Sequence, residues 1–284
     1  MRNLLTTAAF VLAATGVTAD ELPSRIISIG GAVTEIVYAL EQEDRLAGRD
    51  RTSTYPAEAT ELPDIGYMRA LAPEGVLSVS PDLIISVEGS GPPETIDVLR
   101  SANVEMVEIP ERFTRDGIVT KIRAVGAALD RDAAANALAT QVGQDIDKAH
   151  AAAIEAANGK PQRVLFVLST QGGKITASGT GTSADGIIRL AGGVNAVTEF
   201  ENWKEMSPEA VSIAAPDVIL MMDRGGDHGA ATEELLSMPA IALTPAGQNR
   251  RVVRMNGLHL LGFGPRTASA ITELSQALQQ GAES

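Results

Sequence analysis

Two segments of thirteen residues, one in each half of the chain, are similar in sequence, and this repeat constrains the fold more than any other feature. Residues 73–85 read PEGVLSVSPDLII and residues 208–220 read PEAVSIAAPDVIL, an offset of 135 positions. Each copy places Pro-Glu at a helix start, then a Pro-Asp turn, and then an apolar strand. Self-similarity over this distance indicates two domains of the same kind.

Short apolar runs alternate with helical segments in both halves. The order strand, helix, strand predicts parallel βαβ units, and therefore an α/β fold of two Rossmann-like lobes with a ligand cleft between them. The predicted strands span residues 25–29, 83–87, 104–109, 163–168, 218–222 and 251–255, and the predicted helices span residues 33–40, 93–102 and 184–191.

An alanine-rich segment, residues 132–158, separates the two halves. Leu138, Val142, Ile146 and Ala149 recur in it at helical spacing, and a helix of this length extends roughly 40 Å. We expect a long helix that joins the lobes, although an ordinary amphipathic helix packed on one lobe would show the same pattern. The predicted domains are a signal peptide at 1–19, a first lobe at 20–131, the linking helix at 132–158 and a second lobe at 159–284.

The first 19 residues, MRNLLTTAAFVLAATGVTA, have the charge, apolar run and small terminal residues of a secretory signal peptide. Cysteine is absent, so neither a disulfide framework nor a lipid-acceptor thiol is expected. The net charge of −13 disfavours nucleic acid and anionic lipid as partners. These features predict an exported, unlipidated periplasmic protein that is not embedded in the membrane, and we expect a monomer.

A nucleotide-dependent enzyme is the alternative from a different functional class. Residues 179–184 match the dinucleotide-binding pattern G-x-G-x-x-A ahead of a helix. The preceding residues, KITAS, make a poor buried strand, and the first βαβ unit carries only Gly30-Gly31 where such a loop would open. We find neither a nucleophile-elbow serine nor a P-loop, and therefore expect a protein that is not an enzyme.

Tyr67 lies in an unusual position, directly after a glycine in the turn LPDIGYMRAL of residues 62–71. An aromatic ring in a glycine turn is seldom there only to fill a core, so the question is which partner its hydroxyl has. One alternative is a half-buried turn tyrosine whose hydroxyl is bonded to a carbonyl.

Two α/β lobes, one long helical connector and an export signal resemble the helical-hinge substrate-binding proteins of ABC importers, which take up cobalamin, siderophores, haem and metal ions. Within that group, IGYMRAL at residues 65–71, GRDRTSTYP at 48–56 and GFGPRT at 262–267 resemble the periplasmic haem-binding proteins. The first of these motifs is the specific signal, and the resemblance extends over nearly all of the mature chain.

The resemblance implies roles for four residues. Tyr67 would bind the iron of ferric haem b, which suits the hard phenolate oxygen, and Arg224 would hydrogen-bond to Tyr67. Arg69, two residues after Tyr67, is placed to help stabilise the phenolate, and arginine also suits haem propionates. Glu74 and Glu209 would contact the ABC permease of the inner membrane. The alternatives are solvated surface charges for the arginines and helix-start residues for the glutamates.

The three histidines, His150, His228 and His259, are widely separated, and none lies in the glycine-rich segment 170–186. The resemblance therefore implies a single five-coordinate haem, with His228 as the reserve candidate for a second-lobe ligand and the other two as surface or packing residues. Within the same transporter group, cobalamin or a ferric siderophore is the alternative ligand. A bare metal ion is disfavoured, because such sites gather histidines with carboxylates.

Overall fold

The structure, a computed structural model, describes residues 22–102, 104–223 and 228–280. Two α/β lobes joined by a long helix confirm the predicted fold class. No helix within the described residues combines the length and the hydropathy needed to cross a bilayer.

The first lobe precedes the long helix α5 (Asp132–Ala157). Its elements in chain order are β1 (Ile26–Ile29), α1 (Gly31–Ala39), β2 (Leu46–Arg49), β3 (Gly66–Tyr67), β4 (Ala70–Leu71), α2 (Pro73–Leu77), β5 (Leu83–Val87), α3 (Pro93–Ser101), β6 (Glu105–Ile109) and α4 (Arg115–Ala128). Single turns of 3-10 helix span Glu43–Arg45 and Ala57–Glu61.

The first-lobe sheet is parallel, in the order β2-β1-β5-β6. Its central strands are buried along their whole length because both faces of the sheet are covered. Ile85 belongs to a buried cluster with residues of α1 and α4, whereas its neighbour Ile84 belongs to a cluster with residues of α2 and α3. Helices on both faces leave the carboxyl edge of the sheet free for loops.

The second lobe follows α5. Its elements are β7 (Arg163–Ser169), β8 (Ile175–Ser178), α6 (Ser183–Leu190), β9 (Val194–Asn195), β10 (Trp203–Met206), α7 (Pro208–Ala214), β11 (Val218–Asp223), α8 (His228–Ser237), α9 (Pro239–Ala242), α10 (Pro245–Gln248), β12 (Val252–Asn256), α11 (Gly257–Leu261) and α12 (Thr267–Gln279). A 3-10 turn spans Gln171–Gly173.

The second-lobe sheet is mixed, in the order β10-β8-β7-β11-β12, and β9 also pairs with β7. Strands β7, β11 and β12 are parallel to one another, whereas β8 runs antiparallel to both of its neighbours, β7 and β10. The expectation that KITAS makes a poor strand is wrong. Residues 175–178 form β8, in which Ile175, Ala177 and Ser178 are buried and Thr176 is half-buried.

The repeated Pro-Asp turns perform the same structural task in both lobes. The Asp82 carboxylate accepts the N–H of Arg25 at 3.0 Å, just before β1. The Asp217 carboxylate accepts the N–H of Arg163 at 2.8 Å, at the start of β7. Each turn thus ties the strand that follows it to the first strand of its own lobe.

The long helix α5 packs against α4 of the first lobe and α12 of the second. One buried apolar cluster runs from Ile26 in β1 through Ile146 in α5 to Phe166 in β7. Phe113 and Phe263 meet edge to face across the lobes, with ring centroids 5.2 Å apart. The lobes therefore share this apolar cluster, and the exact domain boundaries stay predictions.

Candidate functional site

Strands β3 and β4 form a tight hairpin that carries Tyr67. Gly66 begins the hairpin at a φ of +111°, which is favourable only for glycine. The hairpin is fixed to loops at the carboxyl edge of the parallel sheet: the Arg51 N–H donates to the Gly66 carbonyl at 2.8 Å, and the Gly91 N–H donates to the Met68 carbonyl at 2.9 Å. Ligands of open α/β sheets bind at this edge.

The Tyr67 side chain extends from the hairpin and is 41% exposed. None of the residues that the structure describes hydrogen-bonds to its hydroxyl. A backbone carbonyl partner, which the alternative interpretation of a turn tyrosine requires, is therefore absent from the described part of the chain. The arrangement offers a phenol oxygen on a rigid support.

The carboxylate of Asp64 stabilises the hairpin through a hydrogen bond and two ion pairs. Its carboxylate accepts the Gly66 N–H at 2.8 Å and pairs with Arg51 at 3.3 Å and with Arg49 at 3.6 Å. Partial burial acts to raise the pKa of Asp64, but the Gly66 N–H and the two guanidinium groups outweigh it and hold the pKa below its ordinary value. The aspartate is therefore ionised at neutral pH and keeps two cations beside the hairpin.

The loop after β2 is organised by Asp50, which is fully buried. Its carboxylate accepts the N–H groups of Gly30 and Thr52, both at 2.9 Å, and the Ser53 hydroxyl at 2.8 Å. This loop belongs to the GRDRTSTYP motif, and its Asp followed by Thr and Ser is typical of a turn in which the carboxylate bonds to the chain two residues on. Asp50 is thus a residue of the motif whose role was not predicted from the sequence.

The structure describes one of the two arginines that are predicted to lie near Tyr67. Arg69 is exposed at the hairpin turn, two residues after Tyr67. Its positive charge acts to lower the pKa of the Glu111 carboxyl group. Arg224 lies outside the described residues, directly after the end of β11 at Asp223. The structure therefore brings Arg69 to the tyrosine hairpin, and the position of Arg224 stays a prediction.

A buried ion pair lies where the lobes meet. Lys121 of α4 is fully buried, and its ammonium donates to the Glu111 carboxylate at 2.7 Å and to the Phe263 carbonyl of the second lobe at 3.1 Å. Burial raises the pKa of Glu111 and lowers the pKa of Lys121, and the mutual attraction of the pair opposes both shifts. Phe263 belongs to the GFGPRT motif, so this motif forms part of the contact between the lobes.

The glycine-rich loop at residues 179–184 has the wrong surroundings for a dinucleotide. It joins a strand, β8, to a helix, α6, but β8 is antiparallel to both of its neighbours. A Cβ on Gly179 would lie 2.1 Å from the Phe200 carbonyl, so this glycine is required by a close approach of backbone. A Rossmann phosphate site needs a parallel βαβ unit.

The glutamates of the repeat occupy matching positions on α2 and α7. Glu74 and Glu209 are both exposed, and two residues further on Val76 and Val211 are both fully buried. The two helices thus bury the same face and direct their glutamates outward. Its own backbone N–H and the Ser207 hydroxyl lower the pKa of Glu209, so its carboxylate is ionised at neutral pH.

Two histidines make local contacts. His150 on α5 hydrogen-bonds to the Leu190 carbonyl at 2.8 Å, and His259 on α11 lies 3.3 Å from Glu273. Nothing is described of the His228 side chain, so the reserve prediction for it stays open. Within the described residues, no three or more histidine, aspartate or glutamate side chains gather as a metal site would require.

The family comparison covers most of the chain. Residues 26–257 match the sequence profile of the periplasmic binding protein family. A vitamin B12-binding protein of Vibrio cholerae is 27% identical over 256 residues, which make up 90% of this chain and 89% of that protein.

Two proteins of known structure are more similar in sequence to this chain than the vitamin B12-binding protein is. The periplasmic heme-binding protein BhuT in complex with two hemes is 39% identical, with a TM-score of 0.83 over 90% of this chain and 98% of its own. The periplasmic heme-binding protein RhuT from Roseiflexus sp. RS-1, in apo form, is 38% identical, with a TM-score of 0.84 over 92% and 99% of the two chains. These relatives are binding proteins rather than enzymes. The chain belongs to the periplasmic binding protein family, in the helical-hinge group that includes these heme-binding and vitamin B12-binding proteins.

Proposed function

We propose that the chain is the periplasmic substrate-binding component of a haem ABC importer. It binds one ferric haem b in the cleft between the lobes through the phenolate of Tyr67, and it delivers the haem to the permease. The observation that carries this proposal is the Tyr67 side chain itself, which is 41% exposed on a rigid hairpin at the carboxyl edge of the first-lobe sheet. The two heme-binding relatives, at 39% and 38% identity, support the same ligand.

The cations around the cleft have separate roles in this proposal. Arg224, after β11, hydrogen-bonds to the phenolate and favours its ionised form, because a nearby positive charge stabilises an anion. Arg69 holds a propionate. Haem iron is five-coordinate, and His228 is the reserve candidate for a further ligand.

The proposal also covers the location and the oligomeric state of the protein. Residues 1–19 act as a cleaved signal peptide, and the mature protein works as an unlipidated monomer in the periplasm. The absence of cysteine from the whole sequence supports the lack of a lipid anchor, since the lipid is carried by a cysteine thiol.

Cobalamin is the second candidate ligand, and the vitamin B12-binding relative favours it at 27% identity. A titration with hemin and with cyanocobalamin separates the two. We expect one equivalent of hemin to produce a Soret band with the purified protein, and a large excess of cyanocobalamin to leave that band unchanged. Saturable binding of cyanocobalamin together with failure to take up hemin would overturn the haem assignment and leave the transporter group intact.

We propose that Glu74 and Glu209 contact the two halves of the permease. Reversing both charges, with Glu74→Arg and Glu209→Arg, places cations against the cationic partner surface that we expect there. Stimulation of ATP hydrolysis by the reconstituted permease should fall by at least about tenfold, because like charges at an interface are strongly unfavourable. The affinity for hemin should stay within about twofold of the wild type, because both residues lie on the outward faces of their helices.

A matched control exists on α3. Glu94 also follows a proline at a helix start and is exposed, but it lies outside the repeat. Glu94→Arg loses the same favourable interaction with the helix dipole and should leave the stimulation unchanged. Equal losses in Glu94→Arg and in the double variant, or loss of hemin affinity in the double variant, would contradict the docking role.

A further inference from the structure

One ion pair joins the two lobes. Glu35 of α1 accepts two hydrogen bonds from Arg266, which lies just before α12 of the second lobe, at 3.0 Å from Nε and 2.5 Å from Nη2. Glu35 is only 6% exposed. A bidentate pair between a carboxylate and a guanidinium is both strong and directional, so it fixes distance and angle together.

The guanidinium of Arg266 makes two more contacts. It stacks over the ring of Tyr55 in the first lobe, 3.6 Å from the ring centroid. Its Nη1 lies 3.3 Å from Nδ1 of His259, whose Nε2 lies 3.3 Å from Glu273. Arg266 is therefore held by two residues of the first lobe and supported by its own lobe, which leaves it little freedom to turn away.

Tyr55 connects this contact to the tyrosine hairpin. It lies in the same loop as Arg51 and Thr52, after the end of β2. The Arg51 N–H donates to the Gly66 carbonyl at 2.8 Å, and the Thr52 hydroxyl lies 3.9 Å from the sulfur of Met68. A shift of Tyr55 would therefore be transmitted over a few residues to the hairpin.

We propose that Glu35, Arg266 and Tyr55 form a clasp between the lobes, which sets the width of the cleft and positions the Tyr67 hairpin against the second lobe. The three residues are positioning residues, because none of them needs to touch the ligand. Separating the lobes would break both charge-assisted hydrogen bonds of Glu35 and the stacking of Arg266 on Tyr55, which opposes opening. The free protein is therefore held near the geometry that the ligand requires.

Distances between the lobes test the clasp without any ligand. Since the chain has no cysteine, Ser78→Cys and Ser212→Cys introduce two thiols, at the end of α2 and on α7, that can carry spin labels. Pulsed electron resonance should give one narrow distance distribution for the labelled protein. The Glu35→Gln variant should broaden it, because the neutral amide cannot replace the charged bidentate contact.

A second measurement, the rate of hemin dissociation, rests on the proposed haem function. The rate of hemin dissociation from Glu35→Gln should rise by about tenfold, because a loosened site acts mainly on dissociation. The control is Glu108→Gln, which breaks the pair of Glu108 with Arg100, 2.9 Å apart and within the first lobe. It should change neither the distances nor the rate. If the wild type binds no hemin, the haem proposal fails and the distance measurement still decides on the clasp.

A lower melting temperature with an unchanged distance distribution would show that the pair only stabilises the fold, and would overturn the clasp. Should Glu35→Gln fail to fold, the double variant Glu35→Met and Arg266→Met removes both charges and the unpaired group with them. The double variant should also show a broadened distribution, and a narrow one would refute the proposal equally.

Discussion

Replacing Tyr67 by phenylalanine should weaken hemin binding by at least about a hundredfold, or roughly 2.8 kcal/mol at 1.4 kcal/mol for each factor of ten. The substitution keeps the ring on the hairpin and removes only the oxygen that is proposed to bind iron. Ferric iron prefers hard anionic oxygen, and no other side chain of the hairpin offers one. Dissociation rates and the visible spectrum of the hemin complex measure the effect.

The spectrum distinguishes loss of the ligand from general damage. Tyr67→Phe should lose the absorption that arises from charge transfer between phenolate and ferric iron, while its unfolding curve matches that of the wild type. Tyr38→Phe is the matched control, because Tyr38 lies on α1 and is packed against the core cluster. If Tyr67→Phe binds hemin with the wild-type affinity and spectrum, Tyr67 is not the axial ligand.

The second large effect is expected at Glu111. Glu111→Ala would leave the ammonium of Lys121, which is fully buried, without its counter-charge. Removing one partner of a buried ion pair destabilises a protein by about 3–5 kcal/mol, because the remaining charge is neither solvated nor paired. Urea denaturation measures the change in the free energy of unfolding.

The double variant Glu111→Ala and Lys121→Met provides the test of mechanism. An apolar side chain of similar length can fill the space of the lysine, and such replacements of buried pairs are often neutral. Most of the lost stability should therefore return. A loss below about 1 kcal/mol in Glu111→Ala, typical of an exposed pair, would mean that water reaches the ammonium.

The sequence predicted the features that depend on local pattern. The paired Pro-Glu starts, the buried parallel strands and the long helix all appear in the structure, because each is encoded within a few adjacent residues. The turn that carries Tyr67 was also recognised, since a glycine with positive φ leaves a clear local signal. The docking role of Glu74 and Glu209 and the iron-binding role of Tyr67 stay proposals.

Other features of the structure could not be predicted from local sequence patterns. Strand β8 was underestimated because a half-buried antiparallel strand lacks the continuous apolar run of its parallel neighbours. Glu35 and Arg266 are 231 residues apart, and only the packing of the lobes brings them together. Lys121 resembles a surface residue in sequence, because nothing near it shows that Glu111 and a carbonyl of the second lobe will surround it.

The apolar cluster that runs through both lobes has a consequence for how the halves depend on each other. A cut in the chain at the end of α5 would expose the helix faces that each half now covers for the other, among them Ile146 and Leu274. The two lobes therefore repeat a sequence pattern without each covering its own apolar surface, and we expect them to unfold in a single cooperative transition.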